Sequence, residues 1–165
     1  MNSKKIRLFV IMFAIQLFCI SYISVAYELT ALTGKEYQFK IEGYDPIDPF
    51  RGRYLAYRIS TDKVIDELGE YRGKCYITVG IDQKGYAYLN KITIKKPQGE
   101  DYIMAHRYTM GSYNLPFTRY YVNEDKALEA EKLFQEHPDD AYIVIRIRKN
   151  KSIAESLFIG SNKIN

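Results

Sequence analysis

With 165 residues the chain has room for one domain of ordinary size plus an appendage, and a second independent domain is not expected. Its net charge of +4 owes three positive charges to Lys4, Lys5 and Arg7; the remainder holds 21 basic against 20 acidic residues, without a dense Lys/Arg block, which argues against a nucleic-acid partner. Two cysteines, Cys19 in an apolar run and Cys75 at a strand start, argue against a disulfide framework.

In chain order, residues 1–7 form a basic N-terminus and residues 8–27 are twenty consecutive uncharged residues. At about 1.5 Å per helical residue that run crosses a hydrocarbon core of about 30 Å. The basic cluster before it predicts an N-terminus in the cytoplasm, with residues 28–165 as one extracytoplasmic β-rich domain. The expected location is therefore the cytoplasmic (inner) membrane, single-pass. A cleaved signal peptide competes, because Ser24-Val25-Ala26 offers small residues to a peptidase. The run exceeds a signal-peptide core, and Tyr22 and Tyr27 suit an interfacial aromatic belt, so an uncleaved anchor is the expectation. Cys19 follows Phe18 rather than a small residue, a poor fit to a lipoprotein signal.

Residues 36–42 alternate Tyr37, Phe39 and Ile41 with polar side chains, which predicts a half-buried strand. Residues 44–52 carry Pro46, Pro49 and Gly52 and read as an ordered loop, followed by a strand over 53–60. Val64, Ile65 and Leu68 suggest a short helix within 61–71. Residues 75–82 and 86–96 flank Gln83-Lys84-Gly85 and predict a hairpin. Strands over 102–108 and 117–122 follow, joined through the irregular segment 111–116. Asn123 is placed to cap a helix over 124–136, with Ala127, Ala130, Leu133 and Phe134 on one face and Pro138 beyond its end. Residues 141–148 and 153–159 form a last strand pair around Lys149-Asn150-Lys151. The sum is an α+β fold: a transmembrane helix, then a mainly antiparallel sheet of seven or eight strands with one or two helices.

The densest chemistry lies in Asp45, Pro46, Asp48, Arg51, Gly52, Arg53 and Tyr54, the candidate binding residues. Its carboxylates and arginines can pair with one another or cap backbone amides, or a stiff polar loop can serve as a recognition surface. The segment resembles the signature region of the bacterial GDYXXLXY family, which has an N-terminal membrane helix, an Asp-Pro-x-Asp pattern, an Arg-Gly-Asp-Tyr stretch and alternating Leu and Tyr. Asp45, Pro46, Asp48, Arg51, Gly52 and Tyr54 match position for position. The likeness extends to Thr33-Gly34-Lys35 and to Arg119-Tyr120-Tyr121-Val122 with Glu124. Arg53 stands where the family has Asp, Tyr57 where it has Leu and Ile59 where it has the second Tyr. The family has no established activity, and its members often accompany multispanning membrane proteins, so the resemblance implies a partner more than a reaction.

A nucleophilic hydrolase needs a Ser or Cys beside a base, yet the two histidines, His106 and His137, neighbour no recognisable nucleophile signature. The same two histidines and unpaired cysteines give no metal-ligand spacing, and no cofactor is expected. Sixteen tyrosines and no tryptophan fit a tyrosine-lined sheet; an exposed strip of them would point to a glycan or protein. The leading expectation is a non-enzymatic binding or accessory domain that partners an integral membrane protein. A cell-envelope glycan binder or sensor is the alternative, and an unrecognised membrane-anchored hydrolase the third.

Overall fold

A computed structural model describes residues 3–42, 44–46, 54–122 and 124–164. The chain opens with α1 (Ser3–Thr33), one uninterrupted helix of 31 residues that is long and apolar enough to cross a membrane. It continues past the apolar run because residues 28–33 contain neither Gly nor Pro, and it stops at Gly34, whose amide closes the last turn on the Thr30 carbonyl at 2.9 Å.

Gly34 alone separates α1 from β1 (Lys35–Lys40), a central strand of the sheet. The other described strands are β2 (Tyr44–Pro46), β3 (Tyr54–Tyr57), β4 (Gly73–Ile81), β5 (Ala87–Thr93), β6 (Tyr102–Thr109), β7 (Ser112–Asn114), β8 (Arg119–Tyr121), β9 (Ala141–Arg148), β10 (Lys151–Ile159) and β11 (Asn162–Ile164). Helix α2 (Glu124–Glu136) lies between β8 and β9. Eight strands form one sheet in the order β11-β10-β9-β1-β5-β4-β6-β7, and a smaller sheet has the order β2-β3-β8. The pairing is antiparallel except for β1 with β5, where Phe39 lies beside Ala87. Strand β1 therefore joins two antiparallel groups, β9-β10-β11 and β5-β4-β6-β7: it pairs along its whole length with β9 and meets β5 on its other edge. Strands β10 and β6 approach each other despite their distance in the order, so the sheet curls strongly.

The core fills that curl. Phe39, Cys75, Ile77, Leu89, Ile143 and Ile145 are fully buried, each an alternate residue of its strand. Tyr57, Ile59, Leu115 and Phe117 join them from the small-sheet side, and Ala130, Leu133 and Phe134 of α2 pack on the same cluster. The predicted bounds of α2 and β9 agree with the structure. The expected cap Asn123 lies outside the described residues, as does the side chain of Ala127.

Three expectations are corrected. Residues 61–71 form no helix: Val64 and Leu68 pack against the core, Ile65 bridges to Lys91, and Asp66 turns inward to Arg107. A tertiary ion pair and a sheet contact outweigh weak local periodicity there. The described strands number eleven rather than seven or eight, because β2, β7 and β11 have three residues each, too few for alternation to declare itself. Part of the expected 44–52 loop is strand β2. Pro46 fits because β2 is at the edge of the small sheet, where one missing N–H breaks no inner ladder.

Candidate functional site

The segments that carry the family resemblance are far apart in sequence and adjacent in the fold. Asp45 and Pro46 lie on β2, opposite Ala56 and Leu55. Tyr54, Leu55 and Ala56 of β3 lie opposite Tyr121, Tyr120 and Arg119 of β8. Asp48, Arg51, Gly52 and Arg53 lie outside the described residues, in the connection from β2 to β3. The two family-like stretches thus build one three-stranded sheet, and the β2–β3 connection issues from it. Tyr57 and Ile59, which replace the Leu and second Tyr of the motif, are 5% and 9% exposed. Those motif positions are inward-facing: the Tyr57 hydroxyl donates to the Phe117 carbonyl, and burial pushes its pKa well above the ordinary tyrosine range. Replacing Leu by Tyr keeps the apolar body and adds a hydroxyl that finds a buried acceptor.

Beyond the C-terminal end of β3, a polar cleft of about 390 Å³ is lined by Tyr57, Arg58, Thr61, Ser112, Tyr113 and Phe117. One wall is fixed by a charge cluster. The Arg107 Nε donates to Asp66 at 2.8 Å, and both side chains are 2% exposed. The Arg107 guanidinium also donates to the carbonyls of Gly69, at 3.0 Å, and Tyr71. Asp66 also accepts from the Tyr113 hydroxyl at 2.7 Å and from the Leu68 amide at 3.2 Å. Burial works to raise the Asp66 pKa, but the hydrogen bonds from Arg107, Tyr113 and Leu68 outweigh it and hold the carboxyl below its ordinary value. A carboxylate so engaged organises the 61–71 segment. It is poorly placed to act as a base, because its charge is already neutralised and its lone pairs occupied. Cys75 is fully buried, and burial pushes its thiol up, away from the reactive thiolate. No group of three or more His, Cys, Asp or Glu side chains converges among the described residues.

The third feature is the joint between α1 and the sheet. Thr30 is fully buried, and its hydroxyl donates back to the Ala26 carbonyl at 2.8 Å. Across the joint, Arg146 of β9 bonds the Gly34 carbonyl at 3.3 Å, Glu36 at 3.2 Å and Glu155 at 2.5 Å. One guanidinium thus ties the end of α1 to β1, β9 and β10, a use that suits its planar fork of donors. A Cβ on Gly34 would collide with the Thr30 carbonyl oxygen and lie 3.2 Å from the Arg146 Cβ, so this junction accepts glycine alone without shifting. Farther down α1, the Lys151 ammonium at the start of β10 sits 6.0 Å from the Tyr22 ring centroid and 5.9 Å from that of Tyr27. Arg146 and Lys151 lie more than a hundred residues from α1, and no local pattern marks them. Tyr22 and Tyr27 are expected from sequence as an interfacial aromatic belt, and nothing there points to Lys151.

The family model described as GDYXXLXY protein matches residues 16–157, from within α1 to within β10. No curated protein and no solved structure matches the chain. The match spans most of the sequence and includes the helix, the joint and both sheets, so the chain belongs to the GDYXXLXY family.

Proposed function

We propose that the chain is a membrane-anchored accessory subunit: α1 spans the inner membrane with its N-terminus inside, and the extracytoplasmic domain engages an integral membrane partner through the β2–β3 connection. The observation that carries this reading is the joint. A tether needs only a loose linker, whereas α1 passes through a single glycine into a central strand and is held there by Arg146 and Lys151. A fixed joint sets the domain's height and heading above the membrane. Ordering even a few linker residues at docking costs about 1–2 kcal/mol each, a cost that a pre-set domain avoids. The continuity of α1 through Ser24-Val25-Ala26, with buried Thr30 just beyond, supports an anchor over a cleaved leader.

The glycan-binding alternative draws on the tyrosines, and their surroundings weaken it. Lysine ammoniums lie over the rings of Tyr37, Tyr76, Tyr86, Tyr88 and Tyr102, and Tyr142 stacks on Phe158 at 4.9 Å. Ring faces so covered are not platforms for a sugar. The test is crosslinking in cells, gentle detergent extraction of the tagged full-length chain and mass spectrometry of what co-purifies. A stoichiometric multispanning protein, lost on Arg51→Ala while the domain keeps its circular dichroism and melting temperature, is the expected result. A clean monomer, or a complex indifferent to Arg51→Ala, counts against the subunit or against the loop respectively.

A further inference from the structure

The turn from β9 to β10 is the most one-signed stretch of the domain: Arg148, Lys149 and Lys151 surround Asn150, and no carboxylate occurs from Ala141 to Ala154. Lys149 adopts a left-handed backbone (φ 55°) at the tip, which is exposed. Among the described residues no ion pair engages Arg148, Lys149 or Lys151. The nearest acid along the chain, Glu155, is held by Arg146. The Lys151 ammonium lies about 6 Å from the ring centroids of both Tyr22 and Tyr27, so the turn reaches the stretch of α1 that carries them, and five helical residues span only about 7.5 Å. Those tyrosines close the apolar run, the level at which interfacial aromatics meet lipid headgroups. Beside Lys151 is a cavity of about 200 Å³, mostly apolar, lined by Tyr27, Met104, Pro116, Ser152 and Ile153 where β6 and β10 approach.

We propose that this turn and cavity form a binding site for an anionic phospholipid of the leaflet in which α1 ends. The phosphate is met by Lys149 and Lys151, and the glycerol backbone and first methylenes enter beside Tyr27 and Ile153. The inference rests on the reading of α1 as a membrane anchor. Location and charge select the occupant: a basic tip at headgroup level beside an apolar recess complements an amphiphile that carries negative charge and hydrocarbon together. A soluble anion would find the same cations but no use for the recess.

The test reconstitutes the full-length chain into vesicles of phosphatidylcholine alone or phosphatidylcholine with phosphatidylglycerol, re-extracts it and counts retained lipids by native mass spectrometry. Preferential retention of phosphatidylglycerol is expected, falling about five-fold for each lysine neutralised in Lys149→Gln and Lys151→Gln. Ile153→Phe, which fills the recess without changing charge, lowers retention as well and keeps the test decisive if a lysine variant misfolds. Equal retention of the two lipids by the unmodified chain, or undiminished phosphatidylglycerol on folded variants, overturns the site. Release of the unmodified chain from vesicles by alkaline carbonate instead overturns the anchor reading beneath it, so the two failures are distinguishable.

Discussion

Asp66 and Arg107 meet 41 residues apart with both side chains 2% exposed, so each depends on the other for the cost of leaving water. Removing one partner strands the other: Arg107→Ala is expected to destabilise the domain by about 3–5 kcal/mol in urea denaturation. Tyr113→Phe, which deletes one donor to the carboxylate, costs about 2 kcal/mol. The same cluster sets a pH response. Asp66 titrates below its ordinary value in the folded state, so the unfolded chain binds more protons in that window and stability rises with pH there. The contribution is full above the ordinary carboxylate range and is lost as pH falls through the lowered value. Melting temperatures followed into acid are expected to show a component that Asp66→Asn removes. None of this was legible beforehand, because a charge pair between a weakly patterned segment and a mid-strand arginine leaves no local signature.

Among the elements, legibility followed length and periodicity. Helix α2 could be bounded from its apolar face and Pro138, and β9 from the alternation of Ile143, Ile145 and Ile147. The three-residue strands β2, β7 and β11 exist because neighbours pair with them, a condition outside their own sequence. The candidate loop was identified by residue type, but its setting came from β8, more than sixty residues away, whose register with β3 joins the two family-like stretches. The joint was legible only as a glycine between a helix and a strand. Its steric reason predicts a measurable effect: Gly34→Val forces the Thr30 carbonyl or Arg146 to move and is expected to cost about 1–3 kcal/mol. Limited proteolysis of the variant in membranes is expected to cut near Thr33 at rates the unmodified chain does not show. Cleavage unchanged from the unmodified chain would mean that the junction tolerates a side chain and is not tightly held.

For the whole molecule, α1 enters the sheet at β1, the strand between β9 and β5, and on the reading proposed above the helix and the domain act as one rigid arm. A rigid arm is useful only if something stands at a fixed place beside it, and it is harmful if the geometry is wrong. The direct test is to insert a short flexible Gly/Ser segment between Thr33 and Gly34 and measure, after crosslinking in cells, how much multispanning partner is recovered per tagged chain. The account predicts stoichiometric recovery with the unmodified chain and at least a ten-fold loss with the insertion (about 1.4 kcal/mol), while the domain's melting temperature changes little. Equal recovery from both chains, or no partner with either, would contradict it.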